Sequence, residues 1–104
     1  MAKYLYVYHG GSTPQSKEEG EKVMKAWMDW LGGLGTSVVD AGNPVGPAKT
    51  IGASGKISDG GGANPSTGYS ILEAKSLDDA VKLSKGCPIL ISGGSIEVAE
   101  LVPM

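Results

Sequence analysis

The chain has 104 residues, with 9 basic and 11 acidic side chains and a formal net charge of −2. That is one domain's length, residues 1–104, enough to bury roughly two thirds of the unfolded surface without a metal or disulfide. The charge balance offers no positive field for a phosphate backbone, no apolar run nears the ~20 residues of a bilayer span, and no basic amphipathic segment is present, so neither nucleic acid nor membrane is expected as a partner.

Lys3 to Tyr8 reads as a strand, with Leu5 and Val7 on one face and Tyr4, Tyr6 and Tyr8 on the other. Ser16-Lys17-Glu18-Glu19 has the S-x-x-E pattern of a capping box. Val23, Trp27, Leu31 and Leu34 follow at near-helical spacing, with Met24, Met28 and Trp30 beside them, and Gly35 is the expected stop. Glu18 with Lys22 and Glu21 with Lys25 are i,i+4 pairs in the favourable order. Thr36 to Ala41 is a short β-branched strand broken by Gly42-Asn43-Pro44. Lys49 to Ile57 predicts a hairpin around Ser54-Gly55, and Asp59 to Pro65 a glycine-rich loop.

Gly68 to Ala74 is the next strand, setting Tyr69 and Ile71 opposite Ser70 and Leu72. Ser76-Leu77-Asp78-Asp79 caps a second helix with a stripe of Leu77, Ala80, Val81 and Ser84, which Gly86 and Pro88 terminate. Ser95 to Leu101 is the last strand. The 17 glycines cluster between these periodic segments and are loop residues. Strand, helix, strand, hairpin, strand, helix, strand predicts an α+β, ferredoxin-like β-α-β-β-α-β sandwich, an antiparallel sheet with both helices on one face. The other face is then open. Assigning it Tyr4, Tyr6 and Tyr8 predicts that a second copy of the chain covers it, as a homodimer.

The order of motifs resembles the YCII-related (YciI-like, DGPF-type) family of the dimeric α/β-barrel superfamily. The resemblance is carried by residues 3–8, Trp27-Met28-Asp29-Trp30-Leu31, Val39-Asp40-Ala41-Gly42-Asn43-Pro44, Gly46-Pro47-Ala48-Lys49-Thr50, residues 68–74, Gly86-Cys87-Pro88 and Gly93-Gly94-Ser95-Ile96-Glu97-Val98. It spans nearly the whole chain. It implies a ferredoxin-like protomer, a dimer pairing two sheets face to face, and a small-molecule pocket near the sheet. Most members have no known function. Some relatives resemble dehydrochlorinases with a His–Asp pair, the histidine near the start of the first helix. Residues 16–25 here contain no histidine, and the DGPF signature reads Asp59-Gly60-Gly61.

The candidate chemistry rests on few residues. His9, the one histidine, ends the first strand before Gly10-Gly11-Ser12-Thr13. An imidazole there can act as a general acid or base, or simply bond loop backbone. Asp40 can orient His9, or serve as an Asx turn for the Gly42 and Asn43 amides. Asn43 and Lys49 flank a Pro- and Gly-rich loop and can hold a carboxylate or phenolate. Trp27 and Trp30, three apart, cannot both fill one small core, so one lines a pocket or a contact.

One histidine and one cysteine cannot build a tetrahedral zinc site in a protomer, and there is no phosphate-binding G-x-x-x-x-G-K-[ST] loop or G-x-S-x-G elbow. No metal and no cofactor is expected. The lone Cys87 admits no internal disulfide, which fits a reducing cytoplasm, and its place after a helix C-terminus argues against a nucleophile. The N-terminus has no secretory pattern. These readings leave two functions: a small-molecule-binding homodimer, with His9 and Asp40 as acid–base groups of a cofactor-independent lyase or isomerase, or a non-catalytic binding or accessory module.

Overall fold

The computed structural model describes residues 1–11 and 14–104. The Ser12-Thr13 part of the loop expected after His9 lies outside the described residues. The elements in chain order are β1 (Ala2–His9), α1 (Lys17–Leu34), a 3-10 turn (Gly35–Ser37), β2 (Val38–Asp40), β3 (Lys49–Ile51), β4 (Ile57–Asp59), β5 (Ser66–Ala74), α2 (Leu77–Ser84), α3 (Pro88–Ile91) and β6 (Ser95–Glu100). The four long-range strands form one sheet in the order β2-β5-β1-β6, and β3 and β4 form a separate two-stranded sheet. Every pairing is antiparallel. This is the ferredoxin-like α+β fold, of the kind from which dimeric α/β barrels are built.

Both helices start where the serines direct. Ser16 Oγ accepts from the Glu19 amide and Ser76 Oγ from the Asp79 amide, each at 3.1 Å. The return arm of the first box goes one residue further out, where Glu19 Oε2 accepts the Gln15 amide at 3.2 Å. Gly35, with φ +57°, closes α1 by donating to the Gly32 carbonyl. The ion pair found on α1 is Lys25–Asp29 at 2.8 Å. Pro88 does more than stop α2: it sits at the first turn of α3, where its missing N–H costs nothing.

The faces of the sheet are the reverse of the expectation. Tyr4, Tyr6 and Tyr8 are buried with Leu72, Ala74, Ala80 and Cys87 as the core, beneath the helices. Leu5 and Val7 are half-buried and belong to the open face. Register supplies the reason. Tyr8, Tyr6, Tyr4 and Ala2 lie opposite Gly68, Ser70, Leu72 and Ala74 on β5, and Tyr8 and Tyr6 opposite Ile96 and Val98 on β6. Small β5 residues make room for the rings, and Ile96 and Val98 complete the apolar layer. The polar ends are satisfied inside: the Tyr6 hydroxyl donates to the Ala80 carbonyl, and the Tyr8 hydroxyl to Ser70. Burial pushes the Tyr6 phenol up to about 12 and raises Tyr8 further.

The stripe expected on α2 is rotated as well. Ala80 and Ser84 are buried and Leu83 partly so, while Leu77 and Val81 are exposed. A small residue at the contact lets the helix approach closely enough for Tyr6 to reach its backbone.

The hairpin of β3 and β4 forms with Lys49 opposite Asp59 and Ile51 opposite Ile57, turning through Gly55 at φ +88°. It stands clear of the core: Ile51 and Ile57 are 69% and 61% exposed. The Cα radius of gyration is 15.0 Å, above the roughly 13 Å of a compact chain this long, and the molecule is a slab of 43 × 42 × 18 Å. The 18 Å thickness is that of two layers, one sheet and one helical.

Candidate functional site

Helix α1 carries no fully buried residue, although 18 residues long. It stands off the sheet and leaves a cleft of about 960 Å³ between itself, the sheet and α3, at the upper end of the range of small-molecule sites. Apolar side chains form most of its wall: Val23, Met24, Trp27 and Leu31 from α1, Pro44 from the loop after β2, and Ile89 from α3. Trp27 meets the ring of Tyr8 edge-on, with centroids 4.9 Å apart and planes at 72°. Trp30 turns away, its indole N–H donating to the Leu83 carbonyl at 3.1 Å and tying α1 to α2. The two tryptophans therefore divide the roles, and Trp27 lines the cleft.

The floor is polar. The Tyr8 hydroxyl lies 2.8 Å from Ser70 Oγ, and Ser70 Oγ lies 2.7 Å from the Ala41 carbonyl. The strand-to-loop turn at Gly42 frames one side. Its φ is +78°, and a Cβ there would stand 1.6 Å from the Tyr69 carbonyl oxygen, so only glycine lets this loop close over β5. Asn43 follows in the wall, its carbonyl accepting the Tyr69 amide at 3.2 Å.

Of the residues singled out from the sequence, Trp27 and Asn43 line this cleft; His9, Asp40 and Lys49 are not among its described lining residues. Strands β1 and β2 run the same way, but β5 lies between them, which separates their axes by roughly 10 Å, and β1 carries His9 on to the level of Ser66 while β2 stops with Asp40 level with Ile71. His9 and Asp40 are each held by other groups. His9 is buried on the open-face side, with Nδ1 3.2 Å from the Pro65 carbonyl and Nε2 3.4 Å from Glu97 Oε1. Asp40 forms the Asx turn: Oδ1 accepts the Gly42 amide at 2.9 Å and Oδ2 the Tyr69 hydroxyl at 3.4 Å. Lys49 pairs across the hairpin with Asp59 at 2.7 Å, in solvent.

Tyr8 and Ser70 were the cleft residues missed from sequence. Their signal lay in β6, where polar Ser95 and Glu97 alternate with Ile96 and Val98; pairing that pattern with β1 turns the tyrosines inward. Cys87 is fully buried, and burial pushes its thiol up to about 11, which leaves no thiolate near neutral pH. Among the described residues, no three His, Cys, Asp or Glu side chains converge to hold a metal ion, and no helix is long and apolar enough to cross a membrane.

No family model matches the chain, and no curated protein matches it. Among solved structures it is similar to 5-chloro-2-hydroxyhydroquinone dehydrochlorinase from Burkholderia phenoliruptrix, determined in complex with 2,5-dihydroxybenzoquinone. The TM-score is 0.53 and the identity 20%, over 96% of this chain and 95% of that one. At this identity the likeness carries the fold alone.

Proposed function

We propose that this protein is a small-molecule-binding homodimer of the YCII-related kind, which takes a compact, largely apolar organic ligand into the cleft between α1 and the sheet without a cofactor. The observation that carries this reading is the stand-off of α1: an 18-residue helix that buries none of its residues fully leaves apolar side chains facing an unfilled space. Support comes from the solved neighbour, whose ligand is a small planar ring. The dimer rests on the open sheet face. Leu5 and Val7 of β1 with Tyr69 and Ile71 of β5 are half-buried there with no helix above them. A second copy of the same face is self-complementary about a two-fold axis.

Calorimetric titration with small aromatic compounds tests the cleft. The wild-type chain binds, and Val23→Glu, which puts a charge in the cleft wall at an exposed helix position, weakens binding at least about tenfold. Equal affinity in the two proteins overturns the assignment.

A second reading keeps acid–base chemistry of a lyase or isomerase type, and the neighbour is named a dehydrochlorinase. The observation favouring it is the carboxylate at His9, supplied by Glu97 rather than by Asp40. Its substrate would lie on the open-face side, beside Pro65, and His9→Gln would abolish turnover without changing binding in the cleft.

A further inference from the structure

The hairpin of β3 and β4 is the far end of a longer antiparallel ribbon. The pairing of β2 with β5 continues past Asp40 through the Pro44–Gly68 bridge and the Val45 amide, which donates to the Thr67 carbonyl at 3.1 Å. Beyond that level the two chains run without a neighbouring strand, because β1 stops at His9, level with Ser66, and β6 begins at Ser95, level with His9. The ribbon closes again where the Gly60 amide donates to the Ala48 carbonyl at 2.8 Å and Thr50 Oγ1 to the Gly60 carbonyl at 2.7 Å. At its tip the Gly52 amide donates to the Lys56 carbonyl at 2.8 Å. These bonds give the hairpin a defined shape, and all of them are internal to it.

That shape is at odds with water. Ile51 and Ile57 are a cross-strand pair, so both side chains emerge on one face of the ribbon, and both are more than half exposed. Two strands alone are marginal and call for packing against something else. The bare face of the sheet has a matching deficit. Four strands at ~4.8 Å spacing and ~20 Å length present a face of about 400 Å². A stable interface takes about 800 Å² from each partner.

We infer that the hairpin is a dimer arm: its Ile51–Ile57 face lies on the second copy of the chain and supplies the contact area that the sheet face lacks. This rests on the homodimer reading and deepens it. The second copy is the occupant because the ribbon springs from β2 and β5, two of the strands that make the bare face. The ribbon also stays within the slab, which is 18 Å thick with the hairpin included and 43 and 42 Å across. The arm therefore extends the plane of the sheet without covering its own bare face, and a copy laid on that face is within its reach.

Hydrogen–deuterium exchange over a dilution series, with sedimentation velocity on the same samples, tests the arm. Amides of residues 49–59 should exchange at least about tenfold more slowly where the wild-type chain is dimeric than where dilution has made it monomeric. Ile51→Ser combined with Ile57→Ser, at positions exposed in the single chain, should raise the dimer dissociation constant at least about tenfold and leave the circular dichroism native. A wild-type dimer whose hairpin exchanges as fast as the monomer's overturns the arm and leaves the dimer standing, as does an unchanged dissociation constant in the double variant. A wild-type monomer at every concentration overturns both. The dilution comparison needs no variant, so a substitution that failed to fold would not obscure the result.

Discussion

Gly42 is the residue on which the cleft's edge depends. Its positive φ and the Tyr69 carbonyl oxygen 1.6 Å from any added Cβ forbid a side chain on two independent grounds. Gly42→Ala should therefore destabilise the fold by about 3 kcal/mol or more, since overlap with backbone cannot be relieved by a rotamer change. Urea denaturation measures this directly, and a loss below about 1 kcal/mol would mean the loop does not close as described. Asp40 supports the same turn through the Gly42 amide, which explains a carboxylate at this position without any role in proton transfer. The tyrosines show why residue type alone is a poor guide to burial. An aromatic ring with one hydroxyl is at home inside once that hydroxyl has an acceptor, and Tyr6 and Tyr8 each have one.

The helices are positioned by their first turns. Ser16→Ala and Ser76→Ala should each cost about 1 kcal/mol, as each serine satisfies an amide that the helix itself cannot. Measured midpoints that stayed unchanged for either variant would show that cap to be replaceable by solvent. Helix α2 is pinned to the core by small residues and by Tyr6, whereas α1 is held mainly at its C-terminal half, by Trp30 on α2 and Leu34 at the core margin. That difference leaves room for the cleft beneath the face of α1 that carries Val23, Trp27 and Leu31. The hairpin of β3 and β4 is three pairs long, Lys49–Asp59, Thr50–Ser58 and Ile51–Ile57, and two isolated strands are marginal in water.

At the scale of the molecule, one face of the sheet is packed and one is bare. Val7→Asp sets a charge at the centre of the bare face, opposite Tyr69 and Glu97 in the neighbouring strands. Sedimentation velocity should give a dimer for the wild-type chain at micromolar concentration and a monomer with native circular dichroism for the variant. A wild-type monomer would remove the dimer.

The buried phenols also determine a pH response. Tyr6 ionises near pH 10 in the unfolded chain and only near about 12 when folded. The native state thus keeps a proton that the unfolded state has released, and its stabilising contribution is whole below pH 10 and lost as pH rises from about 10 towards 12. Denaturation midpoints at pH 8, 10 and 11 should fall accordingly, with a shallower fall in Tyr6→Phe. An identical slope in the two proteins would assign the alkaline loss to other groups, such as Tyr8 or Cys87.

Local patterns were enough for the order of elements apart from the short α3, where Pro88 reads as a stop and is in fact a start. The capping serines, the helical spacing of Trp27, Leu31 and Leu34, the Gly35 stop and the hairpin about Ser54-Gly55 are short-range features, and short-range sterics and hydrogen bonds make them legible. The order of elements likewise pointed to an α+β fold with one open sheet face. Which face is open was a different kind of question. Strand β1 alternates Leu5 and Val7 with three tyrosines, both sets apolar enough for a core, so its own period could not choose between them. The choice came from long-range register, which sets Tyr6 and Tyr8 beside small residues of β5 and apolar residues of β6. The pairing of His9 was undecidable for the same reason: β5 inserts between β1 and β2, and β6, distant in sequence, brings Glu97 to the imidazole. The cleft, too, is a product of packing, because the space under α1 depends on how two helices share one sheet and not on any motif within either.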